Sequence, residues 1–227
     1  MPDPILILED IHASYVKKEI LRGVSFEVHP GDTLALLGGN GSGKSTTLKV
    51  IAGLLPPSKG RVIFHGRDIT HATPHLRQQL GISYLLQGGR VFPNLTVAEN
   101  LRIAQSHARN GAHDHHLPPE LGAIFPDLAG RHATRAGLLS GGQRQMLAIE
   151  MVLAQRPLLA LLDEPSAALT EALGVSLISS FARDCQESPR SIILVEQNVS
   201  STATLPKKLL LSQGTISTTT NNKQQTT

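Results

Sequence analysis

The chain has 227 residues, enough for one large unit, and its apolar share of 40% suits a globule with a sizeable core. Aromatics make up only 3% and tryptophan is absent, which argues against the stacking platforms that grip single-stranded nucleic acid. The net charge of +3 is scattered in short pairs such as Lys17–Lys18 and Lys207–Lys208, so no nucleic-acid partner is expected.

Cys185 is the lone cysteine, which excludes a disulfide framework and a cysteine metal site; it reads as a buried or half-buried bystander. The first residues carry no basic stretch followed by an apolar one, and no window nears the roughly 18 consecutive apolar residues of a membrane span. A cytoplasmic chain is expected, able to dock on a membrane protein.

In chain order, "ILILEDIHASY" and "GVSFEVHPGD" read as strands ending in turn residues. "TLALLG" (33–38) is a short continuous apolar run, the mark of a strand buried on both faces. It passes through glycines into "KSTTLKVIAGLL", an apolar-periodic helix expected to close at Pro56-Pro57. "RVIFHG" and "GISYLLQ" are further strands with a short helical stretch, "HATPHLRQQL", between them. "LTVAENLRIA" opens a helix on the capping-box spacing of Thr96 and Glu99.

Helical signals continue to about residue 155, broken by the polar "ARNGAHDHHLPPE". "LLALLDE" (158–164) and "SIILVEQ" are two more buried strands. Between them "TEALGVSLISSFARDC" is a helix with Leu173, Leu177, Ile178 and Phe181 on one stripe. "KLLLSQGTIS" reads as a hairpin and residues 219–227 as a disordered polar tail. The expectation is an α/β fold over residues 1–218: a parallel-sheet core, an antiparallel β region at the N-terminus, and an inserted helical lobe at about 95–155.

Gly38-x4-Gly43-Lys44-Ser45 matches the P-loop pattern and sits between a strand and a helix, as its mechanism requires. Gly38, Gly39, Asn40, Gly41, Ser42 and Gly43 would turn their backbone N–H groups onto phosphates, aided by the helix N-terminus. Lys44 would neutralise the β- and γ-phosphates, Ser45 would ligate Mg²⁺, and Thr46 and Thr47 would add phosphate contacts. Asp163, ending a buried strand, fits the carboxylate that holds Mg²⁺. Glu164 beside it can polarise an attacking water.

A second phosphate device lies about a hundred residues on, in "LLSGGQRQML". Ser140 and Gln143 have capping-box spacing, so Ser140 should begin a helix whose free N–H groups face outward, and Gly141 and Gly142 should leave that helix end bare. The histidines of "HDHH" (113, 115, 116), with Asp114, read as a solvated loop, because no second ligand cluster completes a zinc geometry.

Over nearly its whole length the sequence resembles the ATP-binding subunits of ABC transporters, on "GGNGSGKST", "YLLQGGRVFPNLTVAEN", "LLSGGQRQ" and "LLALLDEPSAAL". The resemblance implies a head-to-tail dimer in which Ser140, Gly141, Gly142 and Gln143 of one subunit cap the ATP held by the other's P-loop. It further implies that Tyr15 stacks on adenine and that Gln87 reaches Mg²⁺ and the attacking water. The loop from Gln87 to about Leu95 would receive membrane permease subunits, and Ser166–Leu169 would line the dimer interface.

Gln197 stands where most members have a histidine at the γ-phosphate; it can donate a hydrogen bond there but carries no charge. Gly39 replaces a common proline, and residues 200–214 do not match the family's usual continuation. "VEQN" and "GGRVFPNLTV" look like the importers of branched-chain amino acids, whose ATPase works beside a second, different one. A urea or small-amide importer is the alternative, and a non-transport ABC-type ATPase the remoter one. Homodimer and heterodimer both remain open.

Overall fold

The computed structural model describes residues 2–16, 18–108, 128, 130–197 and 199–218. Strands β1 (Leu6–Tyr15), β2 (Lys18–Val28), β4 (Lys59–Phe64) and β5 (Arg67–Asp68) form an antiparallel sheet in the order β2-β1-β4-β5. In β1 the side chains of Leu6, Leu8, Ile11 and Ala13 are buried while their neighbours are not, the period-two pattern of a sheet with one covered face.

The second sheet runs β10-β9-β3-β8-β7-β6, with β3 (Thr33–Leu37), β6 (Ile82–Leu85), β7 (Leu159–Asp163), β8 (Ser191–Glu196) and β9 (Lys207–Ser212) parallel and β10 (Thr215–Thr218) antiparallel at one edge. Every residue of β3, β7 and β8 is buried, which is why these strands read as unbroken apolar runs.

Alternation along those strands divides the core in two. Leu34, Leu36, Leu159, Leu161, Ile193 and Val195 face the antiparallel sheet and helix α1 (Lys44–Ile51). Ala35, Leu37, Ala160, Leu162, Ile192 and Leu194 face the opposite way, toward helices α3 (Val97–Gln105), α4 (Gly141–Ala154) and α5 (Glu171–Glu187). Each fully buried leucine in these layers stabilises the fold by about 1.5–3 kcal/mol relative to an exposed one. Cys185 is buried among them, and burial pushes its thiol up to about 12, so it is inert.

Both capping boxes form. The Thr96 hydroxyl accepts from the Glu99 N–H at 3.2 Å and Glu99 accepts from the Thr96 N–H at 2.7 Å. Ser140 and Gln143 make the same exchange at 3.2 and 3.0 Å. The "HATPHLRQQL" stretch holds α2 (Pro74–Leu80), capped by Thr73 with Pro74 in its first turn.

Two expectations are corrected. Helix α1 stops at Ile51, before the prolines, because Gly53 turns left-handed (φ +76°) and Arg77 claims the last carbonyls. The Arg77 guanidinium is buried and donates to Val50 and Ile51 at 2.7 and 2.8 Å and to Ile69 and Thr70 at 2.7 and 2.8 Å. Its Nε reaches Ala72 at 3.1 Å. Burial lowers its pKa to about 10, yet the side chain stays charged at neutral pH.

The second correction concerns α5. Leu177, Ile178 and Phe181 are buried, but Leu173 is 39% exposed, because its position falls on the first turn, outside the covered stripe. The histidines of the "HDHH" loop and the tail from residue 219 lie outside the described residues.

Candidate nucleotide and hydrolysis site

The parallel register aligns the carboxyl ends of β3, β7 and β8: Leu37 sits opposite Glu196, and Asp163 opposite Val195. The loops that leave those ends share one corner, where open α/β sheets place their ligands. Residues 38–43 turn between β3 and α1. Gly38, Gly41 and Gly43 lie at φ +151°, +75° and +110°, a region that side chains resist. A Cβ on Gly38 would collide with the Leu211 carbonyl, and one on Gly43 would lie 2.7 Å from Leu21 Cδ2.

Gly39, Asn40 and Gly41 are exposed at the tip. The N-terminus of α1 has no side-chain cap, so its first N–H groups are free for an anion. Ser42 Oγ is buried and has no hydrogen-bond partner among the described residues.

Lys44 is buried; its ammonium donates to the carbonyls of Gly38 at 2.7 Å and Gly39 at 3.1 Å. Burial pulls its pKa down, and the charges of Glu164 and Asp163 oppose that pull. Ser45 Oγ donates to Asp163 Oδ1 at 2.9 Å across the corner. Burial raises the Asp163 carboxyl, while hydrogen bonds from Ser45 and from Tyr84 act to lower it. A hydroxyl and a carboxylate so close are hard oxygen donors of the kind that suits Mg²⁺. Among the described residues no three His, Cys, Asp or Glu side chains cluster, so phosphate oxygens and waters would have to complete such a shell.

Glu164 is half-buried and follows Asp163 with left-handed backbone, φ +52°. Its N–H donates to the Val195 carbonyl at 3.0 Å. Gln87 Nε2 donates to Glu164 Oε2 at 2.8 Å, and Gln197 Nε2 donates to Oε1. The three side chains expected to serve hydrolysis thus meet at one carboxylate. Gln87 itself lies two residues beyond β6, exposed on the loop rather than at the strand end.

Tyr15 is 42% exposed, with Lys49 Nζ 5.7 Å above its ring and 3.4 Å from its hydroxyl, leaving ring surface open for stacking. The Ser140–Gln143 segment is placed differently. The Ser140 and Gln143 side chains bond each other's backbone and make no hydrogen bond to residues 38–47. Gly141 is exposed, and a Cβ there would meet nothing within 4 Å. Gly142 is not bare as expected: its Cβ would lie 3.2 Å from the Ala168 carbonyl, so the helix start rests on the 166–169 loop of its own chain.

Four positioning side chains were not anticipated. Tyr84 donates to Asp163 Oδ2 at 3.1 Å. Gln145, buried on α4, donates to the carbonyls of Glu164 at 3.4 Å and Pro165 at 3.1 Å, and a Cβ on Gly89 would overlap its amide. Asn100, buried on α3, grips Phe92 through both backbone groups at 2.8 and 3.1 Å and so anchors the Gln87 loop. Glu196 accepts from the Ser166 N–H at 3.1 Å. The sequence offered a signal only for Tyr84, whose place in "GISYLLQ" sets it beside the strand carrying Asp163.

A family model described as "ABC transporter" matches residues 21–167. A relative from Archaeoglobus fulgidus, named LivF for branched-chain amino acid transport, is 39% identical over 83% of this chain and 80% of its own length. A relative from Salmonella typhimurium, named PhnT for 2-aminoethylphosphonate import, is 31% identical over 90% of this chain and 55% of its own. The ADP conformation of an ATP-binding cassette of an ABC transporter superposes with a TM-score of 0.79 at 27% identity, covering 95% of this chain and 90% of that one. With the phosphate turn, the paired acids and the self-capped start of α4 already in place, these likenesses assign the chain to the ABC transporter family as an ATP-binding ATPase subunit, similar to the branched-chain amino acid group.

Proposed function

We propose that this ATPase powers an importer of branched-chain or other apolar amino acids, working as one cassette of a dimer against membrane permeases. The observation that carries its hydrolytic role is the Glu164 carboxylate, held by Gln87 on one oxygen and Gln197 on the other, one residue from Asp163.

In this reading residues 38–46 bind the phosphates of ATP. Lys44 exchanges its bonds to Gly38 and Gly39 for phosphate oxygens, and the free N–H groups of α1 complete the cradle. Tyr15 stacks on the base. Ser45 and Asp163, with Gln87 at the edge, would hold Mg²⁺. The cation offsets charge on the phosphates when bound. Glu164 accepts the proton of the attacking water, and Gln197 orients that carboxylate through a neutral amide. Ser140, Gly141, Gly142 and Gln143 face the partner cassette's ATP, which explains two phosphate devices in one chain.

The permease contact falls on the Gln87 loop. Phe92 is 48% exposed there and borders a groove of about 350 Å³ lined by Ile103, Ala104, His107, Met151 and Gln155. Among the described residues no helix is long and apolar enough to cross a membrane. In this reading the transport path is supplied by partner chains, and this subunit sits on their cytoplasmic face. The amino acid cargo rests on the likeness to the Archaeoglobus relative.

The test is Glu164→Gln. With ATP it should sediment as a dimer and return to monomer when ATP is withdrawn. A protein that stays monomeric with ATP, even beside co-purified permeases, contradicts the composite site. Vesicles carrying the purified complex should take up labelled leucine but not labelled 2-aminoethylphosphonate; the reverse would reassign the cargo.

A further inference from the structure

We propose that Tyr84 is a positioning residue for the metal carboxylate: its hydroxyl holds Asp163 Oδ2 and thereby fixes Oδ1 toward Ser45 and the phosphate turn. This rests on the reading of Asp163 as a Mg²⁺ ligand.

Asp163 is buried at the last position of β7, and its two oxygens have different partners. Oδ1 accepts from Ser45 at 2.9 Å and Oδ2 from Tyr84 at 3.1 Å. Tyr84 comes from the adjacent parallel strand, where it pairs with Leu161. Since side chains alternate along a strand, Leu161 and Asp163 share a face, and a tyrosine opposite the first reaches diagonally to the second. A shorter hydroxyl side chain on β6 would not span that diagonal. A phenylalanine would fill the space and donate nothing.

The phenol O–H donates and the carboxylate oxygen accepts. The carboxylate then cannot turn Oδ1 away from Ser45 and the phosphate turn without breaking the half-buried hydrogen bond to Oδ2. Partners of this kind around metal ligands commonly tune metal affinity by about 10–100-fold. Ser45 would exchange its bond to Oδ1 for the cation, whereas Tyr84 would keep its bond throughout.

The experiment is Tyr84→Phe, read through metal binding. Mn²⁺ is titrated by electron paramagnetic resonance into protein saturated with a non-hydrolysable ATP analogue, and analogue affinity is measured separately in EDTA. Mn²⁺ affinity should fall about tenfold, with analogue affinity in EDTA within twofold of the parent. In turnover, half-saturating Mg²⁺ should rise by a similar factor while kcat at saturating Mg²⁺ stays within about twofold, a split that loss of packing would not give. Unchanged Mn²⁺ affinity overturns the proposal, as does a parallel loss of analogue affinity in EDTA.

The chain has only two tyrosines, so 3-fluorotyrosine labelling gives a second measurement that does not depend on the variant folding. With Tyr15→Phe assigning the pair, the Tyr84 signal should move when Mg²⁺ is added to nucleotide-loaded protein. A Tyr84 signal indifferent to Mg²⁺ also overturns the proposal. If the parent protein binds no Mn²⁺ with nucleotide, the metal role of Asp163 fails before that of Tyr84.

Discussion

The corner around Asp163 and the start of α4 both present backbone N–H groups and glycines, yet they are built on opposite plans. At the corner the polar side chains are joined to one another: Ser45 and Tyr84 to Asp163, Gln87 and Gln197 to Glu164, Lys44 to its own loop. At the start of α4, Ser140 and Gln143 satisfy only each other, and Gly141 opens to solvent. In the proposed function the first site does the chemistry within the chain. At the second the cap takes up the Gln143 N–H, and the exposed Gly141 leaves the first turn of the helix open to an approaching phosphate of the proposed partner.

Substitutions separate these plans by what they cost. Glu164→Gln should lower ATP turnover by about 10²–10⁴-fold, the usual contribution of a general base, while leaving nucleotide affinity in place; steady-state rates beside equilibrium binding check both. Next in size is Glu150, buried on α4, whose carboxyl is pushed up to about 7 by burial. A carboxyl raised on folding binds more protons in the native state than in the unfolded one. The stability it permits is therefore complete below about pH 4.5 and is lost as pH climbs toward 7. Glu150→Gln should remove that loss, with a gain of up to about 3 kcal/mol at pH 8 and little at pH 4.5, by urea denaturation at both. Burial also raises Asp163 and Glu196, so a residual slope of the same sign should persist.

Gln145→Ala tests the bridge between the two plans. It leaves the carbonyls of Glu164 and Pro165 without their donor and should cost about 1–3 kcal/mol, with kcat falling because the Glu164 turn loses its support. A stability loss with kcat unchanged would show the two regions to be independent. Smallest is Ser140→Ala, which removes an N-cap at about 1 kcal/mol. It should weaken ATP-dependent dimerisation well beyond what that loss in melting explains. Dimerisation unchanged would leave Ser140 as a cap alone.

Legibility in the sequence followed locality. The phosphate turn, the buried strands and both capping boxes are contiguous patterns, and each formed where its residues required. Gln87, Glu164 and Gln197 could be named from their motifs, but their meeting depends on the strand order β8-β7-β6, which no local spacing encodes. Arg77 was invisible for the same reason. Its five acceptors come from two separate stretches of chain, 50–51 and 69–72, and an arginine in a short polar helix reads as a solvated one. The end of α1 was misplaced because a glycine and that distant guanidinium stop it before the prolines can. Leu173 misled because it fits the helical period but sits one turn too early to be covered.

The left-handed backbone of Glu164 has a consequence for selection. An L residue at such an angle costs about 1–2 kcal/mol that glycine would not. Replacing the acid by glycine would relax the turn and remove the carboxylate that Gln87 and Gln197 hold. With Glu164 as the proposed general base, position 164 is a place where fitness for work and ease of folding pull in opposite directions.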